Sequence, residues 1–507
     1  MAVLPHLRPV RVPDAPLLPV RDPWPGDAGR GARLLRISEG EGQVSWERLG
    51  MALGADALGF SWLRDFRALG TDQARLRART LVSAFIAAPA TDPLMRRPDL
   101  AGARLAAWLG HYDFFAASAE DDFRQRLMAR LLADTRILSR DLPAEDRDGR
   151  ALTALKGLVA AGVALPETLG FLARALRFLP TEIGRQILAD GCHIERSPAS
   201  QLRALQDLVE IRALLQAAQV TPPAALTPAI ERSATALRTL RHGDGGLALF
   251  NGAREGNPAL IELVLTQAGR GGRPVGALPE GGFHRLQAGR GLVLLDGGKP
   301  PPPGADRSAH AGTLAFEFSV ARERMIVNCG AAHAGGQWFD AARASAAHST
   351  LIIADTNAAE LRPEGLGRRP EQVEVERQEA AGAHWLAASH DGWWRVYGAI
   401  HRRRLYLAES GEDLRGEDAV EAPTPQPFTI RFHLHPSVTA SIQQDGEAVL
   451  LRLPSGNFWR LRAEGVRMAV EESVYLGGEA PRRSEQVVLS SGPDGAQLVK
   501  WAITKMG

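Results

Sequence analysis

The hydrophobic period of this 507-residue chain changes once, at His242-Gly243-Asp244-Gly245-Gly246, from near 3.6 to 2. A helical stripe and an alternating strand bury their apolar faces in different layers, so the chain must build a helical domain and then a sheet domain. Upstream, Leu202, Leu205, Leu208, Val209 and Leu215 share one face of the segment 202–215, with Arg203, Asp207 and Glu210 elsewhere. Leu152, Leu155, Val159 and Val163 repeat the pattern. Similar helices over 76–90, 103–117, 121–139, 167–178 and 227–241 predict antiparallel hairpins arranged as a solenoid or toroid. Downstream, the runs Thr313 to Phe318, Met325 to Val327, Thr350 to Ile353, Arg395 to Leu407, Phe428 to Leu434 and Val449 to Leu453 are short, alternating and rich in β-branched or aromatic residues. Many strands without intervening helices predict an antiparallel sandwich, and Pro300 to Pro303 reads as a surface loop within it. The expected fold class is α+β multidomain: an extended arm over 1–44, an α/α toroid over 45–242 and an antiparallel β-sandwich over 243–507.

Sixty basic against 58 acidic side chains leave a net charge of +2, and no local basic stripe marks a nucleic-acid partner. Two cysteines, Cys192 and Cys329, are too few for a disulfide framework and match no zinc motif. Pro5, Pro9, Pro13, Pro16 and Pro19 interrupt the N-terminus, which holds no apolar signal core, and no run is long enough to span a membrane. A soluble, cytoplasmic protein without a membrane partner is expected.

Three clusters carry candidate chemistry. In Asp190-Gly191-Cys192-His193-Ile194-Glu195-Arg196-Ser197-Pro198, Ser197 suits an N-cap and Pro198 the first helical position. Arg196 then sits beside a helix N-terminus that favours an anion such as a carboxylated sugar, and His193 with Glu195 forms a titratable pair. The alternative is a capped helix whose Glu and Arg pair at the surface. At the period switch, His242 and Asp244 are candidate substrate ligands in a junction cleft; the alternative is a glycine-rich turn, with Asn251-Gly252 as another turn former. Neither these glycines nor Gly269 to Gly272 have nucleotide-binding spacing. Finally, His310, Asn328 and His348 flank strands and, brought together, would hold a metal weakly; structural roles are the alternative. Trp338, Trp393 and Trp394 are candidates to stack on sugar rings or to pack in an aromatic core.

The same clusters resemble motifs of the heparinase II/III-like polysaccharide lyases. Ser308-Ala309-His310-Ala311-Gly312-Thr313-Leu314 is similar to the family's His-x-His-x-Asp-x-Leu strand, Met325 to Gly330 to its strand ending in Asp-x-Gly, and Ala347-His348-Ser349-Thr350 to its His-Asn-Thr element. Asp190 to Pro198 is similar to its Asp-Gly-x-x-x-Glu-x-Ser-Pro signature. The resemblance implies an α/α toroid followed by a β-sandwich, an acidic polysaccharide as partner, and β-elimination. In that reaction a uronate carboxylate is neutralised, a base takes the C5 proton and an acid protonates the departing O4. It also implies zinc on His310 and His348, with Asn328 in place of the completing aspartate.

Several family groups are replaced. Ser200-Gln201 stands where heparinase III-type members carry Tyr-His, Ser308 replaces the first histidine of the strand motif, and Gly312 replaces its aspartate. Lys156 falls near the family's substrate-neutralising Asn-His pair. The leading expectation is therefore an eliminase with His193, Glu195, His310 and His348 as catalytic groups and Arg196, Lys156, His242 and Asp244 as substrate ligands. Against it stand a non-catalytic glycan-binding or scaffold protein that has lost the Tyr/His machinery, and a hydrolase using Asp190 or Glu195 with Asp244.

Overall fold

A computed structural model of the chain describes residues 12–88, 93–143, 149–269, 272–332, 336–443, 446–492 and 494–507. The chain divides into two compact units, Met1–Asp146 with Arg150–Gly184 and Gln206–Pro228, and Arg147–Gly149 with Arg185–Leu205 and Ala229–Gly507. The helical order followed by antiparallel sheet is as expected, but the boundary is not a single point. The segment Arg185–Leu205, which carries the Asp190 to Pro198 signature, packs with the sheet unit.

In the first unit the expected arm is shorter than 1–44. Helices Ala28–Ile37 and Gly42–Leu53 lie within or across its span, and the Asp27 carboxylate accepts the Arg30 N–H at 2.7 Å as an N-cap. Asp27→Ala is expected to cost about 1 kcal/mol, read as a shift of the urea midpoint. Residues 1–11 of the arm, with Pro5 and Pro9, lie outside the described residues. The remainder is tied down: Leu17 N–H donates to Ala164 O at 2.8 Å and Asp22 N–H to Gly110 O at 3.3 Å.

Helices Pro98–Gly110 and Ala151–Ala164 touch backbone to backbone through Gly102 and Gly157, where a Cβ on Gly157 would meet Gly102 Cα at 2.3 Å. Neither position accepts a side chain at this spacing. Beside this contact Trp46, Phe60, Phe85 and Trp108 form an aromatic cluster with ring centroids 5.1–5.8 Å apart.

Among the described residues the second unit stacks two large antiparallel sheets, besides a two-stranded one. One has nine strands and includes Phe283–Ala288, Gly291–Asp296, Phe316–Val320, Glu323–Val327, Phe428–Leu434 and Arg482–Ser491. The other has eight, with Ala383–Trp393, Ala399–Leu407, Asp413–Glu421, Leu498–Lys505 and Phe458–Ala463 side by side. Their facing residues, among them Phe316, Phe318, Phe432, Leu405, Trp459 and Trp501, share one core, as period-2 alternation requires. Within that core Arg403 is bound through Nε and Nη2 by Asp418 at 2.7 and 3.1 Å, while His401 Nε2 and Trp501 Nε1 each contact the same carboxylate at 2.8 Å.

Helix Pro258–Ala268 interrupts what the period reading takes as strand. Its Asn257 caps Ala259 N–H and Leu260 N–H at 2.9 and 3.3 Å, with Pro258 at the first helical position. The short apolar run that follows is ambiguous between strand and helix by periodicity alone. Trp394–Tyr397 is likewise a helical turn ahead of strand Ala399–Leu407.

Candidate functional site

The Asp190 to Pro198 signature is a buried turn leading into helix Pro198–Ala217, which starts on the proline as expected. His193 is fully buried: its N–H donates to Gln201 Oε1 at 2.6 Å, and its Nδ1 accepts the Glu195 N–H at 3.3 Å. The Gly149 backbone covers its ring, and a Cβ at Gly149 would lie 2.3 Å from His193 Cε1. Burial pushes the imidazole down to about 4, so it is neutral and sealed from solvent rather than poised as a base. Glu195 is half-buried beside it. Its carboxylate accepts the Gly149 N–H at 3.1 Å and the Ser200 hydroxyl. Burial raises its pKa, but Arg203, His193 and these hydrogen bonds outweigh burial and keep it below the usual carboxylate range.

Ser200 and Gln201, which stand where the Tyr-His pair is expected, are thus both engaged inward. Gln201 Nε2 donates further to Gly191 O at 2.9 Å and Ser233 O at 3.2 Å.

Arg196 departs from its expected role as substrate ligand. It is 5% exposed, adopts a left-handed φ of 50°, and donates to Gly281 O at 2.6 Å, Lys299 O at 2.6 Å and the Asp296 carboxylate. Asn251, read from the sequence as a turn former, is buried beside it and joins three motifs. Its Nδ2 donates to Arg196 O at 3.0 Å and reaches Asp296 Oδ2 at 3.4 Å, while its Oδ1 accepts the His310 N–H at 3.1 Å.

His310 and His348 do converge. His348 Nδ1–H donates to Ala344 O at 2.7 Å, which leaves Nε2 to accept from His310 Nδ1 at 3.0 Å. Burial pushes His348 down to about 4 and His310 well below its ordinary value. Gly312, at the family aspartate position, lies under the ring: a Cβ there would sit 2.5 Å from His348 Cδ2.

Asn328 does not complete a metal set. Its Oδ1 accepts the Ser349 N–H at 2.9 Å, its Nδ2 donates to Glu317 Oε1 at 3.2 Å, and the two imidazoles are aimed at each other. Among the described residues no three His, Cys, Asp or Glu side chains are grouped to hold a metal, so this donor set does not fit the zinc that the resemblance implies.

His242 and Asp244 are placed apart in structural contacts. His242 bridges Glu317 Oε2 at 2.7 Å and Ser319 Oγ at 2.8 Å, fully buried; Asp244 accepts Arg324 Nε at 2.7 Å and Gly246 N–H at 2.8 Å. The hydrolase expectation of Asp244 paired with Asp190 or Glu195 is not met, since each carboxylate has its own partners; Asp190 accepts from Cys192 N–H and Gly281 N–H at 2.9 and 2.8 Å.

Lys156 belongs to the first unit. Its Nζ contacts Asp207 Oδ1 at 2.7 Å and Glu210 Oε2 at 3.2 Å on the wall of a cavity of about 350 Å³ that residues of 18–23 also line. Burial works to lower its pKa, but the two carboxylates outweigh it and hold the ammonium charged and occupied. Trp393 is a core residue, while Trp338 and Trp394 are exposed. Cys192 and Cys329 are free and buried, each thiol pushed up to about 12 by burial.

One grouping had no signal in the sequence. Tyr475 Oη donates to the Glu255 carboxylate, which also lies 3.4 Å from His435 Nε2. Burial holds the phenol far above its ordinary range, so it does not supply the missing base.

A helical region followed by stacked antiparallel sheets, with the four motifs buried in the order described, defines a polysaccharide-lyase fold. The chain belongs to the heparinase II/III-like family: residues 99–268 match the family's N-terminal domain, "Heparinase II/III N-terminus", and 270–502 its "Heparinase II/III-like, C-terminal" domain. It is 33% identical over 473 residues to FtsZ-localized protein C of Caulobacter vibrioides (strain NA1000 / CB15N), covering 88% of this chain and 81% of that one. Among solved structures, Heparinase III superposes with a TM-score of 0.73 at 14% identity, over 92% of this chain and 78% of that one. A chondroitin AC lyase of Streptomyces coelicolor in complex with chondroitin sulphate gives 0.55 at 12%, over 94% and 79%. Identities this low speak for the fold alone. Among the described residues no helix is long and apolar enough to cross a membrane.

Proposed function

We propose that this chain is a non-catalytic, acidic-glycan-binding member of its family. The carrying observation is the fate of the Tyr-His positions: Ser200 and Gln201 are committed to Glu195, His193, Gly191 and Ser233, inside the fold. Elimination needs a base within hydrogen-bond reach of the C5 proton. His193, His310 and His348 are buried, neutral and turned toward protein partners. The test is the absorbance of the unsaturated uronate that elimination creates, followed with heparan sulfate, hyaluronan, alginate and chondroitin sulfate. No rise is expected while at least one of these polymers retards the protein in affinity electrophoresis. A rise that His193→Ala abolishes would overturn the reading.

A second reading concerns place rather than chemistry. The relative at 33% identity is named for its localization with FtsZ, and the same location is inferred for this chain. A fluorescent fusion is expected to follow FtsZ in dividing cells; a diffuse signal would reject it.

A further inference from the structure

A cavity of about 710 Å³ lies on the face of the eight-stranded sheet turned away from the shared core. Alternation puts Leu386, Leu405, Leu414, Leu461 and Ile503 inward, so Trp385, Arg404, Tyr406, Arg415, Arg462 and Ala502 point outward. The register lines them up. Trp385 is opposite Tyr406, Tyr406 opposite Arg415, Arg415 opposite Ala502, and Ala502 opposite Arg462, in one row across five strands. Ala502 and Thr504 are small, so strand Leu498–Lys505 forms a trough between Arg415, with Tyr406 and Trp385 beyond it, and Arg460 and Arg462 of strand Phe458–Ala463. Trp385 is 41% exposed and its ring centroid is 5.1 Å from that of Tyr406.

From this arrangement we infer that the trough is a carbohydrate-binding site for an acidic oligosaccharide, built on a face none of the lyase motifs reaches. The inference deepens the glycan-binding reading above and rests on it for the class of ligand. An exposed indole beside a phenol offers a flat surface to the C–H face of a sugar ring. Arg404 and Arg415 are committed, to Glu417 at 3.2 Å and Asp413 at 2.6 Å. Arg460, Arg462 and Lys500 are not: among the described residues none forms an ion pair, and Arg460 Nε is buried without a hydrogen-bond partner. Three uncommitted cations beside an aromatic platform suit carboxylate or sulfate groups on sugar rings.

Other occupants fit less well. The backbone N–H and C=O groups of these central strands are consumed in the ladders, so an extended peptide finds no edge to pair with. Glu376 and Glu464 also line the cavity and offer acceptors to sugar hydroxyls, which a phosphate track lacks.

The full chain is titrated by calorimetry and tryptophan fluorescence with octasaccharides of hyaluronan and of heparan sulfate, with Trp385→Ala and Arg462→Glu alongside. Both positions are exposed, and unchanged circular dichroism and thermal midpoints establish that the variants fold. Each variant is expected to weaken binding by about tenfold or more, the scale of one charge-assisted contact or one stacked ring. The fluorescence change is expected to vanish in Trp385→Ala. Undiminished binding by both variants would overturn this site while leaving glycan binding intact; no binding by the unmodified chain would overturn both. Equal binding of polyglutamate or of single-stranded DNA, in competition with the octasaccharides, would overturn the carbohydrate assignment.

Discussion

Acidification from about pH 7 to about pH 4.5 is expected to remove most of the stability of the second unit. Imidazoles in the unfolded chain protonate near 6.5, whereas burial pushes His193 and His348 down to about 4 and His433 to about 3. A folded value depressed in this way gives stability that is complete above the unfolded value and is lost as pH falls through the folded one. Between the two values the unfolded chain binds protons that the folded chain refuses. Each imidazole loses on the order of 3 kcal/mol across that window, and a domain has roughly 5–15 kcal/mol in all. Glu195 and Asp244, both held below the ordinary carboxylate range, carry the loss to still lower pH. Urea unfolding followed by tryptophan fluorescence at a series of pH values measures the slope. It is expected to correspond to uptake of at least three protons on unfolding near pH 5, because His310, also held well below its ordinary value by burial, adds to these three. A flat profile would mean that these histidines are hydrated and open to substrate, which would also remove the main support for a non-catalytic protein.

The order of helical region and sheet region was legible because it rests on local periodicity, and so were the start of helix Pro198–Ala217 and the approach of His310 to His348. What escaped is what depends on distant partners. His193 reads as a titratable group until the Gly149 backbone is seen to cover it, and no pattern in the sequence links these positions. Arg196 reads as an anion ligand because its partner, Asp296, lies 100 residues downstream. Asn251 reads as a turn former, correctly by conformation at φ 44°, yet its side chain joins Arg196, Asp296 and His310. Alternation assigned the strand faces inward or outward but not the small residues that hollow the outer face into a trough. Fold is written in short-range periods, whereas the roles of these polar groups depend on three-dimensional pairing.

Arg196 separates a structural reading of the motifs from a catalytic one more sharply than any other residue. Arg196→Met keeps much of the side-chain length and its packing near Phe283, over which the guanidinium carbon sits 5.0 Å from the ring centroid, but removes the charge. Asp296, 5% exposed, would then retain only weaker partners: Asn251 Nδ2 at 3.4 Å and Gly298 N–H at 3.3 Å. The carbonyls of Gly281 and Lys299 would lose the donor that draws their loops together. Removing one member of a buried pair typically costs about 3–5 kcal/mol, because the remaining charge stays uncompensated. The expected result is a loss of that size in urea unfolding, largely recovered in the double variant Arg196→Met, Asp296→Leu, since replacing both partners with apolar groups removes the stranded charge. Affinity of the folded fraction for an acidic oligosaccharide is expected to stay unchanged. If Arg196 instead met a substrate carboxylate, the single variant would lose affinity with little loss of stability, and the double variant would recover neither.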